Sequence, residues 1–216
     1  MTADAHIQAK IKLVMDLRRG GIRDARVLNV IETLPRETFV ETPFLDRAYD
    51  NTALPIASGQ TISQPFTVAF MTQALAVGAR MKVLEVGTGS GYQAAVLSRL
   101  CRRVYTVERY RSLLGVAEKR FAALGLHNIT SRHGDGMKGW PEQAPFERII
   151  VTAAAPREPA ALVSQLGPGG IMVYPLEKQP GDQVIIRLTM TEDGPRRDEL
   201  LPTRFVPLVE GVAQDG

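Results

Sequence analysis

Ile7, Ile11, Val14 and Leu17 recur at helical spacing, and Arg18-Arg19-Gly20-Gly21 ends the run, so the chain opens on a predicted helix. A second predicted helix starts at Asp24 as N-cap, runs through Val27, Leu28 and Ile31 to Leu34, and stops before Pro35. From Lys82 onward the apolar pattern alternates between strand and helix. Strands are expected near 82–86, 103–108, 128–133, 146–152 and 170–174, with helices near 91–100, 111–124 and 157–166. Strands separated by helices imply a parallel sheet. After Tyr174 the alternation stops. Gln183 to Met190 and Arg204 to Leu208 are strand-like, with turn residues at Pro180-Gly181 and Asp193-Gly194-Pro195, and predict an antiparallel edge pair. No internal repeat or low-complexity tract is present, and Gln214-Asp215-Gly216 is expected to fray.

The chemistry concentrates where the first of these strands ends. Glu85-Val86-Gly87-Thr88-Gly89-Ser90-Gly91-Tyr92-Gln93 follows an apolar run and leads into Ala94-Ala95-Val96-Leu97, giving strand, glycine turn and helix in order. Glycines tolerate positive φ and admit a ligand close to the backbone, while the following helix offers unpaired N–H groups. A site above Gly87, Gly89 and Gly91 is therefore expected. The spacing departs from G-x-G-x-x-G because the third glycine arrives one residue early, which disfavours a dinucleotide, and no lysine followed by Ser or Thr supports an ATPase-type loop. Glu85 places a carboxylate at the strand end, a better neighbour for a cation than for a phosphate. That favours S-adenosylmethionine, whose sulfonium and ammonium are both positive.

Two further acids fit. Arg103 to Glu108 reads as the second strand, and Glu108 at its end can accept from both ribose hydroxyls. The third strand leads into Gly134-Asp135-Gly136, whose small flanks let Asp135 reach an adenine amino group. Each acid taken alone reads first as a solvated loop residue. Their placement at successive strand ends argues for the site.

Before the glycine turn lies a small, polar, proline-punctuated loop, Ala53 to Pro65, followed by Val68, Met71 and Leu75 on one helical face. Such a loop can close over a ligand, with Thr61, Ser63 and Gln64 offering hydrogen bonds but no strongly reactive nucleophile. Ser63 has a second reading as the cap of the helix opening at Gln64-Pro65.

Composition removes other classes. The 216 residues suffice for one well-buried core, and 26 Lys and Arg against 23 Asp and Glu leave a net charge of only +3. The pairs Arg18-Arg19, Arg102-Arg103 and Arg196-Arg197 are scattered, so no nucleic-acid footprint is expected. Cys101 stands alone, and His6, His127 and His133 lack ligand spacing, so neither an intrachain disulfide nor a metal site is expected. No stretch reaches membrane-spanning length and Met1-Thr2-Ala3-Asp4 does not read as a signal peptide, which makes the cytoplasm and the absence of a membrane partner the expectation.

At family level the sequence resembles the protein-L-isoaspartate (D-aspartate) O-methyltransferases. The resemblance rests on Gln60-Thr61-Ile62-Ser63-Gln64-Pro65, Pro35-Arg36-Glu37-Thr38-Phe39-Val40, Glu85 to Gln93, Gly134-Asp135-Gly136 and Leu166-Gly167-Pro168-Gly169-Gly170, and runs from about residue 7 to 210. Many methyltransferases share the glycine turn, whereas the Thr-Ile-Ser-Gln-Pro loop is specific to this family. The resemblance implies an α/β fold, a Rossmann-like seven-stranded S-adenosylmethionine-dependent methyltransferase sheet, mostly parallel with an antiparallel edge, plus N-terminal helices. One unit over 1–216 is expected: helices and substrate loop in 1–80, cofactor core in 81–175 and C-terminal strands in 176–216. Ser63 falls at the family's active-site position, with Thr61, Ile62 and Gln64 beside it on the substrate. Glu85, Gly87, Thr88, Gly89, Gly91, Glu108, Asp135 and Gly136 are the expected cofactor residues. The chain departs from the usual pattern at Ala57-Ser58, Glu147 and Tyr174-Pro175-Leu176-Glu177, the last expected near the strand ends that frame the pocket.

The implied reaction moves the sulfonium methyl in line to the free α-carboxylate of an isoaspartyl residue in a damaged peptide; separately, a monomer is expected. That carboxylate, with a pKa of roughly 3.5 to 4, is already ionised at neutral pH, so no enzymic base is needed. The ester then cyclises to a succinimide, which hydrolyses partly to normal aspartate. Two rivals share parts of the pattern. A methyltransferase for a small molecule or RNA would keep the glycine turn, Glu108 and Asp135 but need another substrate loop, and a non-catalytic S-adenosylmethionine binder would transfer no methyl.

Overall fold

The computed structural model describes residues 3–214, with side chains from Ile7 onward. The readings of Met1-Thr2 and of the Asp215-Gly216 tail, and the side chain of His6, lie outside the described residues.

Helix α1 (Ala3–Arg19) forms as the periodicity predicts, but its buried face is shifted. Leu13, Val14 and Leu17 enter the core, whereas Ile7 and Ile11 stay 55% and 49% exposed. Helix α2 (Ala25–Thr33) buries Val27, Leu28, Val30 and Ile31. Asp24 caps it, accepting from the Arg26 N–H at 2.9 Å.

The segment before the glycine turn is more ordered than a plain loop. Strands β1 (Leu54–Pro55) and β2 (Thr61–Ile62) form a small antiparallel hairpin, with Ser58 at its exposed tip at φ 57°. Helix α3 (Pro65–Leu75) follows and buries Val68, Met71 and Leu75. Its N-cap is Gln64, with Pro65 at the first helical position, where a missing N–H is harmless. The capping reading of Ser63 is thus corrected. The donor at Phe66 N is satisfied from outside the segment, by Asn51 Oδ1 at 2.9 Å.

The core is a seven-stranded sheet of β3 (Lys82–Val86), β4 (Arg103–Glu108), β5 (Ile129–His133), β6 (Phe146–Val151), β7 (Leu166–Gln179), β8 (Asp182–Thr191) and β9 (Gly194–Thr203), in the order β5-β4-β3-β6-β7-β8-β9. The pairs from β5 through β7 are parallel and the last two antiparallel, as the sequence predicts. Helices α4 (Tyr92–Ser98), α5 (Arg111–Ala123) and α6 (Ala160–Val163) make the connections. The strand order reverses beside β3: after β5 the chain returns to place β6 on the opposite flank. Such a switch opens a crevice at the carboxyl ends of the strands. One apolar cluster joins Leu17, Ile31 and Phe39 from the N-terminal helices to Val83, Val96 and Val173, and a second lies on the other sheet face around Leu84, Ile149 and Met172.

Two expected elements differ. The helix predicted over 157–166 shrinks to the single turn of α6, because Pro156 and Pro159 delay its start and Leu166 already pairs with Phe146 in the sheet. The edge strand predicted at Arg204–Leu208 is instead Gly194–Thr203. Its centre, Arg196-Arg197-Asp198-Glu199, is charged, which suits a solvated edge and hides the apolar alternation that marks a strand. Phe205 to Leu208 leaves the sheet: Ala154 N donates to Val206 O and Leu208 N to Ala154 O, folding the segment back over the end of β6.

Replacing Asp24 with Ala removes the cap of α2 and its ion pair with Arg26. A stability loss of about 0.5–2 kcal/mol is expected; denaturant unfolding with an unchanged midpoint would show the cap to be dispensable.

Candidate active site

The crevice at the reversal is a cleft bounded by the glycine turn, the end of β4, the Gln60–Ser63 loop and the returning C-terminal segment.

Its floor is the turn after β3. Gly87, Gly89 and Gly91 adopt φ of 95°, 51° and 90°, in the left-handed region that favours glycine. Their surroundings differ. A Cβ on Gly87 would collide with the Thr152 hydroxyl, and one on Gly91 would come within 2.7 Å of the Phe121 ring; one on Gly89 would meet nothing nearer than Ile56 at 3.8 Å. Gly87 and Gly89 line the cleft while Gly91 faces α5, so the expected cofactor role of Gly91 is corrected to a packing role.

Glu108 ends β4 at 4% exposure and lines the cleft. Its Oε2 accepts from Gly89 N at 2.8 Å and its Oε1 from Tyr110 N at 3.0 Å. Each oxygen keeps a lone pair for a further donor. Asp135 precedes a single 3-10 turn and accepts from Met137 N at 2.9 Å through Oδ1, while its Oδ2 is buried without a partner. Gly136 lines the cleft, and a Cβ there would come within 2.5 Å of Val86.

Glu85 is placed differently from the expectation. It is wholly buried beneath the turn and does not line the cleft, because the strand's alternation turns its side chain into the layer under the glycines. Its Oε2 accepts from Thr106 Oγ1 at 2.5 Å, and the Thr106 and Thr88 hydroxyls lie 2.6 Å apart. Burial pushes the Glu85 carboxyl up to about 8, against the hydrogen bond from Thr106 and with added repulsion from Glu108. It is mostly protonated at neutral pH. Direct contact with a cationic ligand is therefore corrected to support of the Thr88 turn.

On the facing wall Thr61, Ile62 and Ser63 line the cleft; Gln64 does not, since it has become the N-cap of α3. The departures at Ala57-Ser58, Glu147 and Tyr174–Glu177 lie outside the lining. Glu147 instead accepts from Lys82 N at the opposite end of the sheet.

Several lining residues carried no assignment from sequence. Thr152 follows β6 and donates toward the carbonyls of Val86 and Gly87. The strand-end rule that singles out Glu108 could have found it. Tyr110 and Arg109 follow Glu108 directly. Val206 to Val209 reach the cleft only through the tertiary fold-back at Ala154, which leaves no local signal.

The family model described as protein-L-isoaspartate(D-aspartate) O-methyltransferase matches residues 8–213. A Parvibaculum lavamentivorans protein-L-isoaspartate O-methyltransferase is 62% identical over 96% of this chain and 95% of its own length. One from Rhodospirillum centenum is 59% identical over 95% and 94%. Among solved structures, a protein-L-isoaspartate O-methyltransferase superposes with a TM-score of 0.83 at 29% identity, covering 92% of this chain; this chain spans 65% of that longer one. A Plasmodium falciparum chain described as a protein-L-isoaspartate O-methyltransferase, solved with S-adenosyl-L-homocysteine, gives 0.79 at 25% identity over 92% of this chain and 97% of its own. With family match and close relatives both running nearly end to end along a chain of this fold, this protein belongs to the protein-L-isoaspartate(D-aspartate) O-methyltransferase family.

Proposed function

We infer that this chain transfers the methyl group of S-adenosylmethionine to the free α-carboxylate of L-isoaspartyl residues in damaged proteins and peptides. The observation that carries the reading is that the Thr61–Ser63 loop and the glycine turn are opposite walls of one cleft.

The residues present fit the cofactor. Glu108 has free lone pairs for two ribose hydroxyls, Gly89 leaves open space above the turn, and Asp135, which does not itself line the cleft but precedes the lining Gly136, carries a buried Oδ2 without a partner that suits a donor such as an adenine amino group. When bound, S-adenosylmethionine would supply an activated methyl for the acceptor oxygen, with S-adenosylhomocysteine as the leaving group. Everything else falls to the chain. The acceptor arrives ionised, so no residue has to remove a proton, and the absence of a base among the assigned roles is chemically consistent. Ser63 donates a hydrogen bond that orients the acceptor carboxylate, Thr61 and Ile62 hold the surrounding peptide, and the apolar segment Val206 to Leu208 limits water in the cleft. Orientation and exclusion of solvent are together worth up to about 7–11 kcal/mol of barrier. The methyl ester leaves the cleft, and the following backbone nitrogen attacks the ester carbonyl and expels methanol to form a succinimide without further help from the protein.

The two inner glycines separate binding from packing. Gly89→Ala adds a methyl toward the cleft and is expected to weaken cofactor affinity, at a folding cost of about 1–2 kcal/mol for the left-handed φ. Gly91→Ala drives a methyl into Phe121 and is expected to lose a further 1–3 kcal/mol or so of stability, with affinity per folded molecule nearly intact. Calorimetry showing the reverse order of affinities would move the cofactor off Gly89.

For Ser63→Ala, turnover on an isoaspartyl peptide, normalised to the folded fraction, is expected to fall about 10- to 100-fold with cofactor affinity unchanged. Unimpaired turnover would remove Ser63 from the reaction. With labelled S-adenosylmethionine and the paired isoaspartyl and aspartyl peptides, transfer to neither by the parent protein would refute the function.

The buried acid beneath the turn gives a pH test. Glu85 keeps its proton to about pH 8 in the folded chain but loses it near 4.5 when unfolded, so between those values the unfolded state binds fewer protons and stability falls as pH rises. Glu85→Gln abolishes this dependence, and the variant's stability relative to the parent is expected to increase from pH 5 to pH 8. Parallel pH profiles for parent and variant would refute the buried titration.

A further inference from the structure

Arg36 is 0% exposed, yet its hydrogen bonds go only to neutral groups. Nε donates to Ala48 O at 2.8 Å and Nη2 to Ser63 O at 3.0 Å, while the guanidinium carbon lies 4.8 Å from the centroid of the Tyr92 ring. Nη1 is buried without a partner. Burial holds this guanidinium below its ordinary value, yet an arginine keeps its charge. A buried cation lacking a carboxylate is costly, and a well-packed apolar side chain would fill the space with less penalty. Retaining arginine here requires a return that an apolar residue cannot give.

Geometry supplies it. Nε–H and Nη2–H lie along one edge of the planar group, so the Ala48 and Ser63 carbonyls are held side by side in its plane, and the ring of Tyr92 fixes the third direction. Ser63 belongs to the acceptor loop. Tyr92 opens α4 directly after Gly91, lines the cleft, and is braced by Phe39 edge-on at 5.4 Å. Among the described residues Arg36 is the side chain that hydrogen-bonds the Ser63 backbone. We propose that Arg36 is a positioning residue for methyl transfer: it sets the Ser63 loop at a fixed distance from the glycine turn without touching either reactant. The proposal deepens the isoaspartyl reading and rests on it for its kinetic consequence.

The test uses the full chain with Arg36→Lys, which keeps the charge but cannot span two carbonyls, and Arg36→Met, which keeps neither. Backbone hydrogen exchange, affinity for S-adenosylhomocysteine, and kcat and KM on an isoaspartyl peptide are measured for both. Expected are exchange at least about tenfold faster at residues 61–64 with residues 82–98 unchanged, cofactor affinity within about twofold of the parent, and a kcat lowered about 10- to 100-fold that lysine does not restore. Unchanged exchange at 61–64, exchange raised equally throughout, full activity in Arg36→Lys, or a cofactor affinity falling in step with kcat would each overturn the proposal, as would failure of both variants to fold. Should the parent itself leave the isoaspartyl peptide unmethylated, the functional reading fails, and the exchange data still decide whether Arg36 tethers the loop.

Discussion

Gly87 and the residue it meets, Thr152, fix the geometry on which the site depends. They follow β3 and β6, the two strands that become neighbours where the sheet order reverses, and no side chain larger than hydrogen fits between them. The Thr152 hydroxyl donates toward both Val86 O and Gly87 O, at 3.0 and 2.6 Å, so the close approach is also hydrogen-bonded. From that pinned start each part of the turn is held by a different element. Glu108 on β4 takes the Gly89 N–H, Arg120 on α5 donates to Ser90 O at 3.0 Å, and Phe121 closes on Gly91. A turn fixed from three sides is preorganised for a ligand, so binding spends little on ordering it.

The facing wall is built by other means. The chain from Pro35 to Gln64 contains only short 3-10 turns and a two-residue hairpin, and long helices are not there to hold it. Individual polar contacts do so instead: Arg36 bridges Ala48 and Ser63, Asn51 caps α3, and Glu37 accepts from the Tyr49 hydroxyl. Phe39 and Tyr92 then join this wall to the start of α4. The turn wall combines close glycine packing with side-chain hydrogen bonds from Thr152, Glu108 and Arg120, whereas the facing wall has only its side-chain contacts to hold an irregular backbone.

Legibility in the sequence follows the same division. The parallel strands and α2 were readable because their apolar periodicity is local, and Asp24 announced its helix because a cap needs only the next two residues. The edge strand β9 escaped since a solvated edge has no buried face to impose alternation. Ile7 and Ile11 show the converse failure: helical spacing identifies a face, while contact with neighbouring helices decides whether it is covered. For the cleft, Glu108 and Gly136 could be placed because strand ends converge in any such sheet. The role of Arg36 is not legible in the Pro35–Val40 motif that contains it, since Ala48, Ser63 and Tyr92 come together only in three dimensions.

The two carboxylates at the ends of β3 and β4 illustrate how burial assigns opposite tasks to one chemical group. Glu108 accepts two backbone N–H bonds and faces the cleft, whereas Glu85, one strand over and 0% exposed, has its ionised form disfavoured by desolvation and by Glu108 itself. At neutral pH Glu85 therefore adds little negative charge beneath the turn. This matters because the cleft must receive a cationic methyl donor and an anionic acceptor together. A second ionised carboxylate beneath the turn would help to hold the donor but would repel the acceptor through the same low-dielectric region. Burying Glu85 retains its hydrogen bond from Thr106 and the adjoining Thr88 support of the turn while keeping its charge out of that balance.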